Sequence, residues 1–172
     1  RMFLLHGESK YIDCLERTLY NGVISGMSMD GGRFFYPNPL SSDGKYKFNS
    51  DGNTTRQPWF GCACCPSNLC RFIPSVPGYL FGVKDNNIYV NLFAGNTSTI
   101  KVGGKNVVLE ETTEYPWDGD IKITVKKSAA KNANLLVRIP GWVRNQVVPS
   151  DLYAYRDAEK PTYSVTVNGK AV

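Results

Sequence analysis

The sequence predicts an α+β chain, mostly β, with helices and a long loop in residues 1–83 and an antiparallel β-sandwich in 84–172. Three observations predict it. Apolar residues near the start recur at helical spacing, turn-forming residues crowd positions 30–58, and after Gly82 short alternating runs are separated by Gly, Pro and Asn. Met2, Leu5, Tyr11, Leu15, Leu19 and Ile24 give a helical period, interrupted by His6-Gly7-Glu8-Ser9. Ser9 is a capping residue for a new helix with Lys10 to Asn21 as its body. Arg33 to Tyr36 reads as a short strand inside the long loop. Pro66 to Gly78 reads as a helix, since proline is tolerated in a first turn, with Pro74 and Pro77 shortening or kinking it. Strands are then expected at Asn87–Phe93, Thr97–Val102, Lys105–Thr112, Asp120–Lys126, Asn134–Ile139 and Tyr163–Val167. Gly103-Gly104 and Asn168-Gly169 are the turns between some of them.

The 172 residues are 42% apolar, enough to bury a core. The net charge of +5 is spread out, and Lys126-Lys127 is the longest basic run, so nucleic acid is not an expected partner. No apolar run is long enough to span a membrane, and none is an expected partner. The chain opens on Arg1 without an initiator methionine or signal peptide, which reads as the inside of a longer protein.

The cysteines carry the chemistry. There are five, and four fall between positions 62 and 70, unlike the even spacing of a disulfide-stapled domain. In Cys62-Ala63-Cys64-Cys65-Pro66, the adjacent pair bridges only with strain, so Cys64 and Cys65 read as two thiolates aimed at one point. That point is a zinc ion or a reacting carbon. Cys62 falls on the same side as Cys64 if the segment is extended. Cys70 and Cys14 read as small core residues. A redox role of the thioredoxin kind is disfavoured, because Cys62-Ala63-Cys64 is one residue too short for that motif.

Several segments in order resemble glycoside hydrolase family 127, the β-L-arabinofuranosidase family. They are Glu16 to Asn21, Ser25 to Gly31, Phe34 to Leu40, Trp59 to Asn68 with its Cys64-Cys65-Pro66, and Tyr115 to Gly119. Arg138 to Trp142 and Val167 to Lys170 fit the same family's sandwich. The resemblance implies the end of an (α/α)6-barrel catalytic domain in 1–83, followed by the β-sandwich. It implies a zinc ion held by three cysteines and a glutamate. Cys64 matches the nucleophile and a ligand, and Cys65 its neighbouring ligand, while the other ligands and the acid/base glutamate lie upstream of this chain. An isolated chain is therefore expected to be inactive. It implies a terminal β-L-arabinofuranoside or related plant-type glycoside as substrate, the rest of the same protein or an oligomer partner as neighbour, and a bacterial cytoplasm or periplasm as compartment. The alternative is a closed structural zinc site joined to a carbohydrate-binding sandwich with no chemistry of its own.

Two pocket residues follow from the same match. Glu16 is either a solvated helix charge or a contact to a sugar hydroxyl, and Tyr36 either fills the loop or hydrogen-bonds near the reacting centre. Trp59 and Phe60 form a sugar platform or hold the cysteine loop. Trp117 and Trp142 read as sandwich packing, and His6 has no assigned role.

Overall fold

The computed structural model describes residues 1–157 and 161–172. Close contacts group the chain into two units, Arg1–Cys14 with Tyr79–Val172, and Leu15–Gly78.

The first unit holds two three-stranded sheets and a short hairpin. In one sheet, β1 (Phe81–Lys84) pairs antiparallel with β2 (Asn87–Val90), and β2 pairs parallel with β6 (Asn134–Val137), Ile88 opposite Leu135. The antiparallel expectation fails for that last pair. The chain leaves β2 to build the whole second sheet and returns in the same direction, the long crossover that parallel strands require. The second sheet is an antiparallel meander of β3 (Asn96–Val102), β4 (Lys105–Thr113) and β5 (Ile121–Ser128). Gly103 and Gly104 at φ 55° and 77° make the tight turn between β3 and β4. Asn168-Gly169 does the same between β7 (Thr166–Val167) and β8 (Lys170–Ala171), all that forms of the strand expected over 163–167. Ile88 from the first sheet joins Ile100, Val102, Val107 and Leu109 from the second in one buried cluster.

The inward row of β4 runs Val107, Leu109, Glu111, so period-two alternation places a carboxylate on the core face. Asn96 Nδ2 donates to Glu111 Oε2 at 3.1 Å, while Oε1 has no partner among the described residues. Burial raises the carboxyl from 4.5 to about 7, against hydrogen bonds from Asn96 and the Ala94 amide that lower it. Between those two values the folded chain keeps a proton that the unfolded chain has lost. Stability therefore falls as pH rises through this window, by up to about 3 kcal/mol from this group before solvent screening reduces it. Glu111→Gln is expected to flatten that slope in denaturant melts at about pH 5 and about pH 8, raising stability at the higher pH.

At the start of this unit, α1 (Met2–His6) ends at Gly7, whose φ of 72° lets its amide reach the Phe3 carbonyl. Phe3 stands edge-on to Tyr89, and a side chain at Gly82 would meet the Phe3 ring at 3.0 Å. Met2, Leu4 and Leu5 are exposed. The Ser9 carbonyl accepts the first bonds of α2 (Lys10–Thr18) from Ile12 and Asp13. This helix stops earlier than expected, running into a wide turn at Leu19–Val23 and a 3-10 turn at Ile24–Gly26. Asn21 Nδ2 bonds the Arg17 carbonyl and Ser25 Oγ bonds the Asn21 carbonyl, so side chains compete for the helix acceptors just where Gly22 weakens the ladder. Among the described residues no helix is long and apolar enough to cross a membrane.

Candidate active site

The second unit is mostly loop, held by Phe34. This buried residue bridges to Met27 on one side and to Gln57 on the other, all that forms of the strand expected at 33–36. Phe35 lies edge-on to Phe48, and the Arg56 guanidinium sits over its ring at 4.2 Å. The loop is therefore ordered by aromatic and cation–π contacts rather than by a sheet.

The cysteine segment leads into α3 (Cys64–Phe72), which begins at Cys64 rather than at Pro66. Pro66 thus stands third in the helix, where no intrahelical partner is lost, and it is buried. The helix continues as 3-10 turns over Ile73–Tyr79, with Pro77 inside. Asn68 Nδ2 and Ser67 Oγ both donate to the Cys64 carbonyl, at 2.7 and 3.2 Å, and Arg71 bonds Asn68 Oδ1. Cys64 is thereby held in the first turn, where backbone amides favour negative charge.

Tyr36 and the cysteines meet. Tyr36 Oη lies 3.1 Å from Cys64 Sγ and 3.9 Å from Cys62 Sγ, and Cys64 Sγ lies 3.9 Å from Cys65 Sγ. The Tyr36 hydrogen bond, followed by that of Cys65, pulls the Cys64 thiol below its ordinary value. The same bond to Cys64 pushes the phenol far above its ordinary range, so Tyr36 keeps its proton and can donate it to sulfur. Burial, first, raises the Cys65 thiol. The Tyr36 ring stands edge-on to Phe60, which is 3% exposed, so this tyrosine both fills the loop and presents its hydroxyl to sulfur. Trp59 is 59% exposed and free to face a ligand, whereas Phe60 is packing.

Sequence reasoning missed Asn49. It is 3% exposed, its Oδ1 accepts from the amides of Tyr36 and Ser50, and its Nδ2 donates to the Thr55 carbonyl. It sets the backbone from which Tyr36 projects. An asparagine in a tract of turn residues carries no signal of that role. Asn49→Ala would leave these buried groups unpaired and is expected to cost about 1–3 kcal/mol of stability in a denaturant melt.

Other expectations need correction. Of the two readings of Glu16, burial excludes the solvated helix charge: it is 6% exposed, on the α2 face that also carries buried Ile12. Cys14 and Cys70 are exposed rather than core, because each projects from a helix face that the described residues leave open. Trp117, at 89% exposure, is not packed, and Trp142 is partly open with its indole N–H on Tyr115 Oη.

The two thiols fit a shared zinc ion. Tetrahedral coordination at about 2.3 Å per sulfur separates two thiolates by roughly 3.8 Å, and Cys64 and Cys65 stand at 3.9 Å. Among the described residues no group of three or more potential ligands comes together.

Comparison with known proteins agrees along the whole chain. Residues 1–78 match the family model of the β-L-arabinofuranosidase GH127 catalytic domain, and residues 87–172 that of the GH127 middle domain. The chain is 33% identical over 178 residues to a non-reducing end β-L-arabinofuranosidase of Bifidobacterium longum subsp. longum, covering 99% of this chain and 24% of that protein. It superimposes on the GH127 β-arabinofuranosidase BT3674 with a TM-score of 0.90 at 56% identity, covering 99% of this chain and 26% of that one. For a GH127 β-L-arabinofuranosidase from Geobacillus stearothermophilus T6 the TM-score is 0.78 at 37% identity, over 99% and 25%. The chain thus spans about a quarter of the length of these relatives. With the two family models laid end to end across it, it belongs to glycoside hydrolase family 127.

Proposed function

We infer that this chain is part of a retaining glycoside hydrolase that releases terminal β-L-arabinofuranose or a closely related furanoside, with Cys64 as nucleophile. Residues 1–83 would be the end of an (α/α)6-barrel catalytic domain and 84–172 a β-sandwich beside it. The observation that carries this reading is the Cys64 sulfur, held 3.9 Å from Cys65 Sγ and 3.1 Å from the Tyr36 hydroxyl. The names of the relatives supply the sugar.

In this mechanism the Cys64 thiolate attacks the anomeric carbon, and the aglycone oxygen leaves with a proton from an acid elsewhere in the protein. Water then opens the thioglycoside from the opposite side. Two inversions give net retention. Tyr36 donates to the sulfur and aims its lone pair at the sugar. Buried Glu16 accepts from sugar hydroxyls, and the exposed face of Trp59 stacks on the furanose. Cys64 and Cys65 would hold zinc, which when bound keeps the sulfurs as thiolates and eases departure of Cys64 from the sugar.

The test is zinc by elemental analysis and hydrolysis of p-nitrophenyl β-L-arabinofuranoside, on this chain and on the full-length protein. Stoichiometric zinc with turnover in the full-length protein alone supports a site completed from outside this chain. Tight zinc in the short chain with turnover in neither would mean a closed structural site and would overturn the reading.

A further inference from the structure

Cys62 has no place in the mechanism above, yet it stands at the reacting sulfur. Its thiol and that of Cys64 lie 3.9 and 3.1 Å from the same phenol oxygen. It is reduced and exposed. One residue separates the pair, so their Cα atoms lie at most about 7 Å apart, and disulfides span up to about 6.8 Å. Cys62 precedes α3, and Ala63 between them is the N-cap: its carbonyl accepts the first helical bond from the Ser67 amide, while its own φ of −102° and ψ of 28° lie outside helical geometry. The segment can therefore bend to bring the sulfurs together. Cys65 offers no such route. It follows Cys64 within the first helical turn, where a bridge between neighbours would distort the peptide that joins them.

We propose that Cys62 is a resolving thiol that captures oxidised Cys64 as a Cys62–Cys64 disulfide, making the pair a reversible oxidation site for hydrogen peroxide. The Cys64 thiolate attacks one peroxide oxygen, the O–O bond breaks, hydroxide leaves, and Cys64 becomes a sulfenic acid. The Cys62 sulfur then attacks the sulfenic sulfur. The S–S bond forms, the S–O bond breaks, and the departing oxygen takes the Cys62 proton to leave as water. Sulfur gives up two electrons and peroxide accepts them. A small dithiol reverses the bridge by exchange. Without Cys62, the sulfenic acid waits in the open and meets a second peroxide, which carries it to the sulfinic acid that thiols do not reduce.

The proposal rests on Cys64 being the reactive thiolate of the proposed site, and its main readout does not need turnover. The full-length protein and its Cys62→Ser variant are treated with graded hydrogen peroxide, then with dithiothreitol. The peptide spanning Cys62 and Cys64 is examined by mass spectrometry at each stage, with activity assayed in parallel. The wild type is expected to lose two hydrogens at this peptide and regain them with dithiothreitol, together with its activity. Cys62→Ser is expected to start with ordinary activity, gain two or three oxygens on Cys64, and recover about tenfold less. Equal recovery in the variant would overturn the proposal, as would a bridge from Cys64 to Cys65 or to another cysteine. A protein that forms the Cys62–Cys64 bridge but never hydrolyses the furanoside would sink the glycosidase reading and leave this one standing.

Discussion

Cys64→Ser in the full-length protein is expected to lower furanosidase kcat by on the order of 10⁴-fold or more, the scale of a lost nucleophile. The hydroxyl that replaces the thiol stays protonated at neutral pH. It would also leave the sugar poorly if it ever bonded to it, because an alkoxide is a far worse leaving group than a thiolate. The Tyr36 phenol, 3.1 Å from the sulfur in the native chain, would face a neutral hydroxyl in place of a thiolate. Fold should survive, since the Cys64 carbonyl still receives Asn68 and Ser67 and the side chain is exposed. Initial rates beside circular dichroism and zinc content make the check. A folded variant with near-native turnover would remove Cys64 from the reaction and leave it at most a metal ligand.

The second large effect lies in the first unit. Asp13→Ala is expected to destabilise the protein by about 3–5 kcal/mol, the usual penalty for stranding a buried charge. Arg138 is 6% exposed, with NH1 2.7 Å from Asp13 Oδ1, Nε on the Asn91 carbonyl, and its guanidinium over Phe93. The Gly141 amide also donates to Asp13 Oδ1, and Arg144 approaches Oδ2 at 3.7 Å. One carboxylate thus serves two arginines and a backbone amide. Replacing Asp13 and Arg138 together with apolar residues should cost less than Asp13→Ala alone, because no charge is then left unpaired. Denaturant melts of the single and double variants measure both. A loss under about 1 kcal/mol for Asp13→Ala would show that solvent replaces the carboxylate.

The sequence discloses local chemistry better than distant partnership. Gly103-Gly104 and Asn168-Gly169 mark their turns because few residues accept positive φ, and alternation finds β3, β4 and β5 nearly to the residue. Cys64-Cys65-Pro66 marks the candidate site because neighbouring thiols have few other uses. What stays hidden depends on residues far apart in the chain. β1 was not expected because Gly82 interrupts its alternation, and that glycine is there to admit Phe3 from 79 residues earlier. The parallel pairing of β2 with β6 spans the whole second sheet, and Asp13 finds Arg138 across 125 positions. Asn49 and Cys62 acquire meaning only once Tyr36 is placed between them. Exposure of Cys14 and Trp117 reflects which faces lack neighbours, and no single residue's character reveals that.

The Asp13–Arg138 pair also bears on how such proteins diverge. A recombination between relatives at the gap separating residues 78 and 87 would look harmless, since it cuts between two recognisable modules. Yet between parents that differ at either position it would import an arginine without its carboxylate, or the reverse. Only parents that agree at both positions could trade the β region freely. Lineages that alter one position are then committed to altering the other, so this ion pair is inherited as a single trait spread over two modules.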